Sequence, residues 1–231
     1  AYPVLVAILQ KILGKCPYKS PTDMGVNMVG NCIIDDEAAC YASRQEIIRR
    51  YYEALCDQKK GKNVEEAIRK LELLMKKIGI AISERKVVAP ALERADATGD
   101  AAAAMELPDG TIVTGRTSDL LGASSALLLN ALKRIGGLPD DLHMLPPIVL
   151  EPIQNLKTNH LGNRNPRLHT DETLIALSIS ASTNPIAKLA MDQLGKLRGC
   201  DVHSSVILSA VDERTFKRLG VNLTCEPRYQ G

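Results

Sequence analysis

Ala101-Ala102-Ala103-Ala104-Met105-Glu106-Leu107-Pro108-Asp109-Gly110-Thr111-Ile112-Val113-Thr114-Gly115 is the stretch on which the fold turns. Two short runs, 101–107 and 111–115, flank Pro108-Asp109-Gly110. Proline suits the first corner of a tight turn and glycine takes the position of positive φ, so the stretch predicts a β-hairpin. Downstream, residues 120–135 read as a helix stopped by Gly136-Gly137, and 145–150 read as a strand on their β-branched residues. Thr170 is placed to cap a helix over 171–182, whose acidic first turn complements the helix dipole. Asn184-Pro185 opens another helix that ends near Gly199, while 203–209 and 221–225 read as strands around a helix stopped at Gly220. Hairpin, helix, strand, helices, strand, helix, strand is the order of an α/β unit, expected over 80–231.

Working outward to the N-terminal side, residues 1–79 carry a helical period instead. Tyr41, Ile48, Tyr52 and Leu55 fall on one face, and Val64, Ala67, Ile68, Leu71, Met75 and Ile78 on another. Asn63 is the expected N-cap of the second helix, Gly61 ends the one before it, and Gly79 supplies a left-handed C-cap. The fold class is thus α+β, a helical unit followed by a three-layer α/β unit.

Composition narrows the function classes. The formal net charge is +2 and aromatic residues are 3% of the chain, with Phe216 the single phenylalanine and no tryptophan. Such a chain has neither the electrostatic field nor the stacking platform of a nucleic-acid binder. Cys16, Cys32, Cys40, Cys56, Cys200 and Cys225 form no C-x-x-C pair and stand near no histidine at zinc spacing, which predicts reduced thiols and a cytoplasmic setting. The opening apolar run 4–13 contains Gln10 and Lys11 and is too short to span a membrane. The chain starts without methionine, in what reads as the middle of an apolar helix, so a piece of a longer polypeptide is expected.

Two polar, proline-containing joints stand out, at 15–31 and at 157–169. Long irregular segments in a compact fold are disproportionately functional. Their strings Ser20-Pro21-Thr22-Asp23-Met24-Gly25-Val26-Asn27-Met28-Val29-Gly30 and Gly162-Asn163-Arg164-Asn165-Pro166-Arg167-Leu168-His169 resemble an uncharacterised bacterial family, as does Ser43-Arg44-Gln45-Glu46-Ile47-Ile48-Arg49-Arg50-Tyr51-Tyr52 between them. The family is known as domain of unknown function 1846, or uncharacterised protein family 0371. The resemblance covers essentially the whole chain. It implies that the chain is the C-terminal half of a longer protein and that its partner is the N-terminal half of the same polypeptide. That half carries a Gly-rich, Lys-containing loop similar to a phosphate-binding loop. No G-x-x-x-x-G-K-[ST] occurs here, so no nucleotide and no other cofactor is assigned to any residue of this chain.

The order of elements after residue 80 also resembles the three-layer deaminase arrangement. There the helix after the hairpin supplies zinc-site residues, with His or Cys, x, Glu on it and P-C-x-x-C later. This chain has Gly122-Ala123-Ser124-Ser125 at the first place and no cysteine pair at the second, so a deaminase-like scaffold without the zinc site is expected. Gly122-Ala123-Ser124-Ser125-Ala126 lacks the second glycine of a nucleophile elbow, and His143, His160, His169 and His203 form no H-E-x-x-H. His203, in a strand pattern, reads as a buried and hydrogen-bonded residue rather than a catalyst.

The second joint is the principal candidate site. Lys157, His160, Arg164, Asn165, Arg167 and His169 place donors on a loop just before a helix N-terminus, a setting that suits a phosphate or carboxylate. Thr22, Asp23 and Asn27 of the first joint are candidates for the same cleft. Two functions follow from these residues. One is an enzyme site for a nucleotide or phosphate, shared with the missing half, of which this segment is one wall. The other is a non-catalytic module whose helical unit drives homo-oligomerisation. Neither a membrane nor a nucleic acid is an expected partner.

Overall fold

The computed structural model describes residues 1–28 and 33–230. The chain divides into two compact units, Ala1–Arg85 and Lys86–Gly231.

Among the described residues the first unit holds four α-helices, α1 (Tyr2–Leu13), α2 (Pro21–Met28), α3 (Asp36–Lys59) and α4 (Glu65–Ile78), and a 3₁₀ turn Ile82–Glu84. Asp35 caps α3, its carboxylate accepting the Ala38 N–H at 2.9 Å, so the Asp35-Asp36-Glu37 run serves a helix start. Gly79 ends α4 in the left-handed region (φ 63°), as its position predicts. The N-cap of α4 is Val64 rather than Asn63. Arg44 finishes the same helix end from α3, donating to the carbonyls of Ile78 and Gly79 while gripping Glu84 through two bonds of 2.6 Å. The first joint is not irregular throughout: Pro21 opens α2, and Gly25 lies inside that helix. Gly30, Asn31 and Cys32 lie outside the described residues.

In the second unit α5 (Val88–Thr98) leads into the hairpin β1 (Ala102–Glu106) and β2 (Ile112–Arg116). Gly110 sits at φ 80°, the conformation for which the turn needs glycine. Next come α6 (Ala123–Ile135), α7 (Pro147–Asn155), a π-helical turn Leu156–His160, α8 (Thr170–Ala181) and α9 (Pro185–Met191). A 3₁₀ turn Leu194–Leu197, then β3 (Asp201–Ser204), α10 (Ala210–Leu219) and β4 (Asn222–Cys225) complete it. The sheet order is β2-β1-β3-β4, with β1 antiparallel to both neighbours and β3 parallel to β4.

Strand alternation sorts β1 between two helix layers. Ala104 packs with Val87 and Ala91 beside α5, while Ala103 and Met105 face the main core with Leu127, Leu128, Leu132, Leu177, Val202 and Phe216. The β2–α6 crossing is close enough that a Cβ on Gly115 would lie 2.1 Å from the Leu127 amide nitrogen, so only glycine fits there.

Three further expectations are corrected in the second unit. Residues 145–150 do not form a strand: Pro147 stands at the first position of α7, where its fixed φ starts a helix, and the β-branched pair Ile148-Val149 is carried into it. β3 ends at Ser204, because Ser209 has turned to cap α10. His169, not Thr170, is the N-cap of α8.

Candidate functional site

The segment 165–169 is held in place before it offers anything to a ligand. Leu168 pairs with the chain ahead of α6, its N–H donating to the Leu120 carbonyl at 3.0 Å. Its own carbonyl accepts the Gly122 N–H at 3.3 Å and the Ser125 hydroxyl at 2.9 Å. Arg167 donates through Nε to the Ser118 carbonyl at 2.7 Å, and its N–H to Asn165 Oδ1 at 3.0 Å. Lys157, 4% exposed, sits beneath: its ammonium donates to the Arg167 carbonyl at 2.5 Å and to Glu172 Oε2 at 2.7 Å. Glu172 Oε2 also accepts the His169 N–H at 2.8 Å, which is the reciprocal half of a capping box.

His169 faces Asp212 across the start of α10. Nδ1 lies 3.1 Å from Asp212 Oδ2, which also accepts the Ser209 hydroxyl at 2.7 Å. Asp212 Oδ1 accepts the Thr170 N–H at 2.8 Å and the Thr170 hydroxyl at 3.0 Å. One carboxylate thus serves the first turns of two helices. The hydrogen bond to Asp212, opposed by partial burial, raises the His169 imidazole above its ordinary value. Burial pushes the Asp212 carboxyl up, but bonds from His169, the Thr170 amide and Ser209 outweigh it and hold the group below the usual range. Ser209, His169 and Asp212 are the residue types of a hydrolase triad, and the geometry excludes that role. Ser209 Oγ lies 3.4 Å from Nδ1, on the nitrogen already given to Asp212, whereas a nucleophilic serine must sit on Nε2.

These groups line a cavity of about 120 Å³ together with Thr117, Gly122, Ala123, Ser124, Asn165 and Arg167. The starts of α6, α8 and α10 all contribute to its wall, each bringing the positive end of a helix. The cap of α6 is Gly122, whose lack of a side chain leaves the first amides of that helix without a side-chain acceptor. Thr117 and Ser124 are largely buried as residues, at 2% and 3% exposure, but their hydroxyl oxygens are not among the buried unpaired atoms, and neither makes a hydrogen bond among the described residues. Among the described residues the fully buried unpaired hydroxyls are those of Thr173 and Ser180, away from the cavity; those of Thr117 and Ser124 are accessible and free to donate to whatever fills it. Where the deaminase comparison puts zinc ligands, Ala123-Ser124-Ser125 stand instead. Among the described residues no three His, Cys, Asp or Glu side chains gather in a metal-holding group.

Of the residues expected at the second joint, the structure brings Asn165, Arg167 and His169 to the cavity. Lys157 is engaged beneath it. His160 and Arg164 are exposed, line no part of it and make no hydrogen bond or ion pair among the described residues. In the first unit the Thr22 and Ser43 hydroxyls share a short hydrogen bond, and buried Asp23 accepts the Lys19 N–H at 2.7 Å. The side chain of Asn27 lies outside the described residues. His203 is fully buried, with Nδ1 at 2.9 Å from Thr224 Oγ1 and Nε2 at 3.1 Å from Glu226 Oε1. Thr117, Ser124, Ser209 and Asp212 are site residues that sequence reasoning missed. For Ser209 and Asp212 a signal was present, the S-x-x-D spacing of a helix cap. For Thr117 and Ser124 there was none, because an unpaired hydroxyl is a property of the packing.

No described helix is long and apolar enough to cross a membrane. Residues 1–79 match the model of "Domain of unknown function DUF1846, N-terminal", and residues 83–231 match "Domain of unknown function DUF1846, C-terminal". The chain is 54% identical over 231 residues to "UPF0371 protein DIP2346" of Corynebacterium diphtheriae, and 53% identical over 228 residues to "UPF0371 protein cu0538" of Corynebacterium urealyticum. It is 52% identical over 229 residues to a "UPF0371 protein" of Streptococcus pneumoniae strain JJA. These alignments cover 99–100% of this chain and 46% of each relative, so the chain spans about half the length of the relatives it matches. The matched residues fall in both family models, 1–79 in the N-terminal one and 83–231 in the C-terminal one. The chain belongs to the DUF1846 family of bacterial proteins.

Proposed function

We propose that the cavity of the second unit binds the oxyanion head of a small ligand. The observation that carries this is the pair of cavity-lining hydroxyls of Thr117 and Ser124, which have no protein partner among the described residues, beside Arg167 and three helix starts. Each is a hydrogen-bond donor or a positive pole. The one acid at the cavity, Asp212, has both oxygens occupied by His169, Ser209 and Thr170. At about 120 Å³ the space is well below the roughly 300–1,000 Å³ of a site that encloses a drug-sized ligand. It suits a free anion or the terminal group of something larger. The proposal also sets the protein in the cytosol, supported by the five described cysteines, all free. Isothermal titration of the whole chain with inorganic phosphate and with acetate tests it. Binding of at least one, weakened at least about 30-fold by Arg167→Ala through the loss of a charged donor, is expected. Silence with both anions, or an unchanged affinity in the variant, contradicts it.

A second reading, a non-catalytic oligomerisation module, is favoured by α1. That helix buries no residue and exposes Val4, Ile8 and Ile12 on one face. Sedimentation of the whole chain, with Ile8→Asp expected to lower the mass if this face mediates self-association, separates the two.

A further inference from the structure

Resting on the anion-binding proposal, the protonation logic of the site carries one step more. Ionised Asp212 can only accept hydrogen bonds, so the nitrogen it faces, Nδ1 of His169, must carry a proton. In neutral His169 the second nitrogen, Nε2, is then a bare lone pair. Nε2 makes no hydrogen bond among the described residues, and His169 lines the cavity. A lone pair opposes an anion, and only the imidazolium turns Nε2 into a donor. The charged groups around the ring are Asp212 of α10, Glu172 of its own helix, Lys157 of the π-helical turn and Arg167 of the adjoining segment, with Ser209 as the neutral neighbour. The two nearest acids both favour the charged ring.

Donors outnumber what a carboxylate can use. Two hydroxyls, the open first turn of α6, the His169 ring and the Arg167 guanidinium come to the cavity wall from three separate segments. A carboxylate has two oxygens in one plane, whereas a terminal phosphoryl group has three acceptor oxygens pointing apart. A phosphoryl group also titrates with a second pKa of about 6, near that of imidazole, so it and His169 can share one proton; a carboxylate near neutrality brings none.

We infer that the ligand head is a phosphoryl group and that it binds together with one proton, held between a phosphoryl oxygen and Nε2 of His169. No bond other than those to this proton is made or broken. Calorimetry with inorganic phosphate at about pH 8.5, in two buffers of different ionisation enthalpy, counts the protons taken up. Uptake approaching one per phosphate is expected, with acetate at least 30-fold weaker. His169→Asn retains an N–H for Asp212 and lacks Nε2; it should bind phosphate at least 10-fold more weakly, with no uptake. Should that variant fail to fold, Thr117→Val with Ser124→Ala keeps the dyad and should lower phosphate affinity more than 10-fold while changing acetate less than threefold. Phosphate binding without proton uptake, or acetate binding as tightly as phosphate, overturns this inference and leaves an anion site standing. No binding of either overturns both.

Discussion

The two polar joints look alike in sequence, each with a proline, a glycine and several hydrogen-bonding side chains, and they end differently. In the first, Pro21 starts a helix and the polar groups are consumed nearby: Thr22 on Ser43, Asp23 on the Lys19 amide. In the second, Lys157 and Glu172 are consumed in the same way, but the segment they pin in place presents Arg167 and His169 to a cavity whose hydroxyls are unpaired. Loop composition therefore does not mark a site. What marks it is the donors left over once the backbone and the ion pairs have been satisfied.

Four substitutions break or sharpen that contrast. The largest effect belongs to a group that lies under the site and outside it: Lys157→Ala strands Glu172 and the Arg167 carbonyl and should cost roughly 3–5 kcal/mol in a urea titration. A loss below about 1 kcal/mol would mean that the second joint is not anchored as described. Asp212→Ala removes the acceptor shared by two helix starts and should cost about 2–3 kcal/mol.

In the unaltered protein the same pair gives stability a pH signature. Asp212 is depressed, so its contribution is present above about 3.9, the ordinary aspartate value, and disappears as pH falls through the lowered one. His169 is raised, so its contribution is complete below about 6.5 and disappears as pH rises through the elevated value. Stability should therefore lose an increment on both sides of a mildly acidic maximum, and Asp212→Ala should flatten that profile.

In the first joint, Thr22→Val deprives buried Ser43 of its partner and should cost about 1 kcal/mol. Smallest of all, Arg164→Ala should change stability by less than about 0.5 kcal/mol, since this exposed side chain holds nothing. It should leave phosphate affinity within about twofold, against the loss in Arg167→Ala.

Much of the second unit was legible because its punctuation is chemical. Pro108-Asp109-Gly110, Asn184-Pro185 and Gly220 each require the conformation they take. Residues 145–150 were misread because the β-branched pair Ile148-Val149 was weighed above Pro146-Pro147, which argue against a strand interior and for a helix start. Half of the predicted second-joint residues reach the cavity, since the sequence shows which groups can donate but not which are already donating. Thr117 and Ser124 were hidden for the same reason: the sequence shows a hydroxyl, and only packing shows that it is left without a protein partner.

The account is tested most directly by amide and imidazole NMR of the whole chain during titration with inorganic phosphate. Saturable shifts confined to the amides of Ala123 and Ser124, the segments 165–170 and 206–212, and the His169 ring are the predicted result. Shifts that fail to saturate, or that saturate on other residues while the His169 ring stays still, would contradict it.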